Sequence, residues 1–488
     1  MRSSGVVVFC VTWIAACGGP SGPGDTSSLK IVASPQRSDT VLAAPEQALV
    51  VELRSHTRKV VPEQEIRFEA LHPKGIERFD EEAILVCRWV ARTCAGTNSL
   101  GLTFVIDTTD IEGRANVLVR YGTIAGPVWI RFSAPRYGLS DSVLFTVQPG
   151  AATQVRFPSS ELALKVGSRA TLPARVLDRW NNVRIEQPSY VAAFPNASID
   201  SRGQVTGLSV GRAKLYANLR EYRDSIFVSI VPNGRYLFHT IEGGIARVME
   251  MSFDGSESRV VAENAMFPRI APNGAIVVHH FTFGGGGQRV HLITPDSQQH
   301  RVTRTDMLQR EEFGQLAPNG WIYFSGFTGG SFSIWRVRPD GTGLERRTHD
   351  LGEWRSSPSP DGTQLLYHRT GIYRNAFDAW DLIVMDIDGG FPRLEIRDVL
   401  GAAWSPDGSK IAYLTHPSRE LMVVNADGSG RRRIPVDAGT YNHVDWTADA
   451  EFLLLGRSPR VELVRISDGE RIPLPFSYGS LNAPVVVR

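Results

Sequence analysis

From Pro232 to Arg488 this sequence states one phrase six times. Each copy opens with a turn and a strand: PNGRYLFH from Pro232, PNGAIVVH from Pro272, PNGWIYFS from Pro318, PDGTQLLY from Pro360, PDGSKIAY from Pro406, and a worn ADAEFLLL from Ala448. Each closes with a second strand and a second turn, whose aspartates are Asp254, Asp296, Asp340, Asp388, Asp427 and Asp468. These stand 42, 44, 48, 39 and 41 residues apart. A repeat of roughly 40–45 residues with short strands has the period of a β-propeller blade. The turn chemistry explains the phrase. Pro presets φ near about −65°, Asp or Asn accepts a hydrogen bond from the backbone two residues on, and Gly takes the left-handed conformation that reverses the chain. One such sheet cannot bury both faces alone, so the copies must stack around an axis.

The copies resemble the WD-repeat-like blades of the TolB family, whose signature is an aromatic residue, SPDG, and a strand ending in an aromatic. AAWSPDGSKIAYLT, with Trp404, Pro406, Asp407, Gly408 and Tyr413, carries it most fully, and SPSPDGTQLLYH comes next. Asn233, Asn273 and Asn319 replace the first-turn Asp, Ser297 replaces a second-turn Gly, and the last copy lacks both Pro and Gly. The resemblance implies a six-bladed propeller over 232–488 and leaves function open, because propellers serve many functions. The final LNAPVVVR resembles the RIAP and QLAP that precede earlier turns, so the C-terminus is expected to supply the innermost strand of the first blade. VSIVP before Asn233 has the same pattern and is the alternative.

A chain of 488 residues is too long for one ordinary domain, and about three are expected. Its 53 basic and 51 acidic residues leave a net charge of +2, which argues against a general nucleic-acid surface. Residues 1–17 read as an export signal: Arg2 is a short positive end, and Gly5 to Ala16 is an apolar core too short for the roughly 20 residues of a spanning helix. Ile14-Ala15-Ala16-Cys17 resembles the bacterial lipobox, which implies cleavage before Cys17 and its lipidation, with stable anchoring from two or more acyl chains. An ordinary secretory signal with an incidental Cys is the alternative. Residues 18–28, GGPSGPGDTSS, read as a flexible tether.

Residues 29–149 carry about seven short strand patterns separated by turn residues, which suggests an immunoglobulin-like sandwich. From Asp107 on, the segment resembles the invasin-type bacterial Ig-like domain at Asp110, Gly113, Ala115, Gly122, Thr123, Gly126 and Phe145. Residues 150–231 resemble a second, group-two bacterial Ig-like family. The match rests on Leu164, Val166 and Gly167, on Val176, Asp178 and Asn182, and on Asp200, Ser201, Gly203, Val205, Thr206, Gly207 and Gly211. Such domains are spacers or adhesive modules. Cys87 and Cys94 are expected to form a disulfide in an exported chain, and a metal site is the sharper alternative.

His239, His279, His280, His368 and His416 lie at or just after first-turn strands of different copies. Several His converging from separate blades would suit a metal, as in propeller lyases that cleave oligogalacturonides, but Ser325 and Leu455 stand at matching places. A partly buried inter-blade polar residue is the plainer reading. Asp386, Asp388 and Asp427 read as turn residues rather than a calcium loop. The glycines Gly284 to Gly287 precede a strand, not a helix, so a blade hairpin is expected rather than a phosphate loop. There is no G-x-S-x-G elbow. Tyr323, Phe327 and Trp335, with Tyr373, Arg374, Phe377 and Trp380 in the long insertion RTGIYRNAFDAWD, are of the types enriched in binding hot spots and are the candidate partner-binding residues; packing between blades is their alternative role.

The expectation is an all-β chain: two Ig-like β-sandwiches and a six-bladed TolB-like propeller, anchored through Cys17 to the bacterial cell envelope. It binds a protein, peptide or glycan, is monomeric, has no catalytic residues, and uses no cofactor, metal or nucleic acid. A metal-assisted polysaccharide lyase or hydrolase working in the propeller channel, and a surface adhesin binding through the Ig-like domains, are the alternatives.

Overall fold

Alternating apolar residues and closely spaced turns make the regular structure of the described residues strands, apart from a 3-10 turn at Pro135–Tyr137. The computed structural model describes residues 27–71, 84–88, 104–281, 287–304, 307–350, 352–370, 380–436, 441, 443–457, 460–475, 478 and 482–487. Cys17, Cys94, Tyr373, Arg374 and Phe377 lie outside them. The chain divides into two units, one of residues 1–155 with 175–187 and one of residues 156–174 with 188–488.

In the first unit a four-stranded and a five-stranded sheet share one core. Strands such as Leu49–Arg54 and Arg114–Tyr121 bury every second residue, including Leu49, Val51 and Leu53, and Ala115, Val117, Val119 and Tyr121. Cys87 is buried on Ile84–Arg88 and is disulfide-bonded. The DRWNN turn belongs to this unit, although the sequence places it past the boundary at 149/150. Asp178 is the reason. Its carboxylate accepts the backbone N–H groups of Gly150, Trp180 and Asn182 and the Asn182 side-chain amide, at 2.8–2.9 Å. Asn182 in turn accepts from the Ala125 N–H and donates to the Thr123 carbonyl, both at 2.8 Å.

In the second unit, Gly211–Leu219 and Tyr222–Val231 form a long hairpin flanked by Glu161–Lys165 and Ser189–Ala192. The VSIVP segment is thus committed to this sheet. The hairpin is tied to the repeats that follow: the Arg465 guanidinium donates to the Val210 carbonyl at 2.7 Å, and Glu470 accepts the Arg212 N–H at 2.9 Å.

The repeats form antiparallel meanders whose first strands surround a common channel, the arrangement of a β-propeller. Those inner strands are Ala265–Ile270, Arg310–Leu316, Glu353–Pro358, the second half of Leu394–Trp404, His443–Trp446 and Asn482–Val487. Leu394–Trp404 runs unbroken from the outer edge of one meander to the inner edge of the next, so seven strands share one sheet there. Asn482–Val487 pairs antiparallel with Arg235–Glu242, joining the end of the repeat region to its first strand. The join removes two sheet edges that would otherwise expose unpaired backbone.

Candidate functional site

The first-turn proline gives a ruler for the channel wall. Five residues before it (or before Ala448) stand Phe267, Phe313, Arg355, Gly401 and His443; three before it stand Arg269, Gln315, Ser357, Ala403 and Asp445. All ten line one cavity of about 370 Å³. Ala483 and Val485 take the corresponding places on Asn482–Val487 by register. Pro272, Pro318, Pro360 and Pro406 surround the cavity at its turn end.

The upper tier, His443 apart, stands at a bulge. Met266 to Arg269 face only His279 to Val277, and Glu312 to Gln315, Trp354 to Ser357 and Asn482 to Val485 each face one residue fewer in the same way. The extra residue turns the backbone to positive φ at Phe267 (51°), Phe313 (54°), Arg355 (54°) and Ala483 (47°). A side chain in that region costs on the order of 1–3 kcal/mol and persists only where its surroundings hold it.

The neighbouring sheet supplies that hold. The amide N–H of Phe267 donates to Nδ1 of His239 at 3.3 Å, that of Phe313 to Nε2 of His279, and that of Arg355 to Oγ of Ser325 at 2.9 Å. His and Ser at these places perform one task, which is why Ser325 interrupts the histidines. Further round, the work passes to indoles. Trp404 Nε1 donates to the Ser357 carbonyl and Trp446 Nε1 to the Ala403 carbonyl, both at 3.1 Å. Asp445 completes the circuit by accepting the Val486 N–H at 2.9 Å.

These contacts fix the histidines' chemistry. A ring nitrogen that accepts an amide proton must be unprotonated, and burial points the same way. Burial holds His239 down at about 4 and His368 at about 3, and it puts His279 well below its usual range. The lone pairs of His239 and His279 that a metal would need are occupied by Phe267 and Phe313. His368 lies against the Arg355 carbonyl, yet neither of its nitrogens makes a well-formed hydrogen bond among the described residues. His280 faces the other side of its sheet, stacked on His291 at 4.6 Å. His416 stands apart, its N–H bonded to the Asp398 carbonyl. No group of three or more His, Cys, Asp or Glu is placed to hold a metal among the described residues.

The electrostatics of the upper tier centre on Arg355. Its guanidinium carbon lies 4.9 Å from the Phe313 ring centroid, 4.8 Å from Trp354 and 5.2 Å from Trp380. The rings are contiguous: Phe267–Phe313 at 4.9 Å, Phe313–Trp354 at 5.6 Å and Trp354–Trp380 at 4.8 Å. Burial, aided by the Arg269 charge, draws Arg355 down to about 10. Burial also raises Glu312, whose carboxylate lies 3.7 Å from Arg310.

The aromatic residues chosen from the sequence divide differently. Tyr323 and Trp335 are buried in cores between sheets, so neither presents a surface to a partner. Both sit on regular strands, Ile322–Thr328 and Ser331–Val337, where the apolar face turns inward. Phe327 is half-buried at the end of its strand, against Phe332 at 5.0 Å and beneath Arg310 at 5.1 Å. Trp380 joins the ring chain beside Arg355. Asp388 is an exposed turn residue 3.5 Å from Arg336, while Asp386 pairs with Arg393 and Asp427 caps Ser429. The sequence reading passed over Phe267, Phe313 and Arg355, whose fixed distance from the turn proline was the available signal.

No protein-family model matches the chain. A curated relative, an uncharacterised protein of Agrobacterium fabrum, is 34% identical over 120 residues, which span 22% of this chain and 40% of the relative's length. Among solved structures, TolB from Acinetobacter baumannii is similar at 14% identity over 61% of this chain and 82% of its own, with a TM-score of 0.43. A nidogen/laminin complex is similar at 10% identity over 52% of this chain and 99% of the matched chain, also with a TM-score of 0.43.

Proposed function

We propose that the C-terminal repeats form a six-bladed, TolB-like propeller that binds a protein, peptide or glycan partner in its channel and performs no chemistry on it. The rest of the chain is read as Ig-like spacers and a Cys17-linked lipid anchor that hold the propeller off the membrane in the bacterial cell envelope. One observation carries the binding reading. The channel wall offers an open cavity of about 370 Å³ with aromatic and arginine side chains at one end, while the imidazoles of His239 and His279 point between sheets and are spent on backbone amides. Aromatic and Arg side chains in a pocket are the composition of a binding hot spot.

The test is capture from solubilised envelope by the intact protein and by Ser357→Trp, which puts an indole into the channel from a half-buried wall position. Loss of a specific partner in S357W, with the circular dichroism spectrum and melting temperature retained, supports channel binding. A partner captured equally by S357W would move the binding face elsewhere, as the adhesin reading requires. Metal assayed on the same sample at one ion per chain would reopen the lyase reading.

A further inference from the structure

We infer that the Arg355 guanidinium is the receptor for a carboxylate that enters the channel carrying an apolar body. The inference deepens the channel-binding reading and rests on it.

Arg355 is a half-buried cation on the channel wall. Its Nε is buried without a partner, and no ion pair or side-chain hydrogen bond to this guanidinium exists among the described residues. The rings of Phe313, Trp354 and Trp380 stabilise its charge but accept none of its N–H donors in the manner of a carboxylate. The acidic side chains close by have other work. Asp445 accepts the Trp446 and Val486 N–H groups, and Glu312, whose charge is felt at Arg355 without an ion pair to it, lies 3.7 Å from Arg310. Arg269, two places further along the adjacent wall, adds positive potential.

The fold does not require a charge at this place. The equivalent positions hold Phe267, Phe313, Gly401, Ala483 and His443, the last kept neutral by burial. The backbone there is held at positive φ and its N–H is fixed by Ser325, so the side chain departs from a rigid point. A planar guanidinium matches a carboxylate through two parallel hydrogen bonds. Ile270, Ala402 and Val444 line the same cavity, which suits an apolar group attached to that carboxylate. A small aromatic acid and the C-terminal end of a peptide both have this chemistry.

The experiment is calorimetric titration of the full chain with benzoate, with a short peptide ending in Phe as free acid and as amide, and with inorganic phosphate, all at constant ionic strength set with sodium chloride. The variants are Arg355→Phe, which copies the residue of the two preceding repeats and so keeps the fold's own solution, and Arg355→Lys. Benzoate binding to the wild type, at least tenfold weaker in R355F and intermediate in R355K, is expected. Preference for the peptide acid over its amide would identify a chain terminus as the source, and equal binding of both would assign the site to small acids. Unchanged benzoate affinity in R355F, no anion bound by the wild type, or binding of phosphate alone would overturn the inference. Should S357W abolish partner capture while no carboxylate binds, the channel reading stands and this one falls. Should benzoate bind at Arg355 while S357W captures the partner normally, the reverse holds.

Discussion

His279 accepts the backbone N–H of Phe313 from the adjoining sheet, and the residue it holds is one that the chain has turned to positive φ. Sequence and fold meet in that bond. In the inner strands of Phe267, Phe313 and Arg355 an extra residue aims a side chain into the channel, and the amide exposed by the bulge is satisfied by a polar group one repeat earlier. His239 does the same for Phe267, and Ser325 for Arg355.

Replacing His279 with Ala should therefore leave a buried amide unsatisfied. Such a group costs about 1–3 kcal/mol, to which the vacated ring volume adds. The expected outcome is a lower melting temperature and faster hydrogen exchange at the Phe313 amide, with exchange at distant strands changed far less. His279→Asn retains an acceptor and should lose less. Equal exchange at Phe313 in both variants would show that the contact does not hold the bulge.

Acid should loosen the same contacts. His239 is held at about 4, below the ordinary 6.5 of an unfolded histidine, so its neutral form belongs to the folded state. Its contribution is complete above about 6.5 and is lost as pH falls toward 4. The ceiling is roughly 3 kcal/mol for this one group. Glu311, Glu312 and Glu353 act in the opposite sense: burial raises them, so what they contribute is present at low pH and lost as pH rises. A difference measurement separates the two trends. The melting temperature of the wild type minus that of His239→Asn should shrink steadily between pH 6.5 and 4, and a constant difference would contradict the assignment.

The repeat was legible because its turns use residues with few other uses. Pro, Asp or Asn, and Gly at one spacing mark a reversal whatever surrounds them, as at Ser405–Asp407–Ser409, where Asp407 takes up both serine hydroxyls and the Ser409 N–H. The channel wall was not legible in the same way. Positive φ usually announces itself through Gly, but the bulges place Phe267, Phe313 and Arg355 there, and those residues read as ordinary strand. Tyr323 and Trp335 misled for a related reason. Aromatic character alone does not distinguish a loop surface from the space between two sheets, and their strand register decides for the interior. His416 was grouped with the other histidines because it follows a first-turn strand, but it stands ten residues past Pro406, beyond the strand Lys410–Thr415, where His239 and His279 stand seven past their prolines.

The turn at Asp178 makes a sharper claim on the first unit. Burial alone would raise this carboxyl. The Asn182 amide and the N–H groups of Gly150, Asn182 and Trp180 outweigh that and draw it below the usual range. Asp178→Ala removes the acceptor of four hydrogen bonds and should destabilise the unit by several times the roughly 1 kcal/mol net value of a single bond. Asp178→Asn keeps an oxygen that can accept the Trp180 and Asn182 N–H groups but sets an amide donor against the Gly150 N–H and the Asn182 side-chain amide, so it should recover only part of the loss. Limited proteolysis provides the check: cleavage near 175–187 should accelerate in both variants. Resistance equal to the wild type would mean that the Asn182 contacts to Thr123 and Ala125 suffice alone.

Ring closure is made by the single strand Asn482–Val487, which makes it the place to test cooperativity. Asn482–Val487 pairs with Arg235–Glu242 on one side, and Asp445 takes the Val486 N–H on the other. Val486→Pro deletes that donor and leaves a buried carboxylate oxygen short of a partner, while removing little apolar surface. The loss should reach about 3 kcal/mol or more, because a proline inside a strand also disturbs the ladder beside it. Asp445→Asn leaves the strand intact and should cost less. If the sheets unfold as one body, V486P should lower the melting temperature without broadening the transition. If the first and last repeats can part while the others persist, exchange should rise first at Leu237, Val485 and their neighbours, and the exposed edge of Arg235–Glu242 should promote self-association visible by light scattering. A variant that melts, exchanges and scatters like the wild type would show that the Asp445 contact contributes nothing to closing the ring.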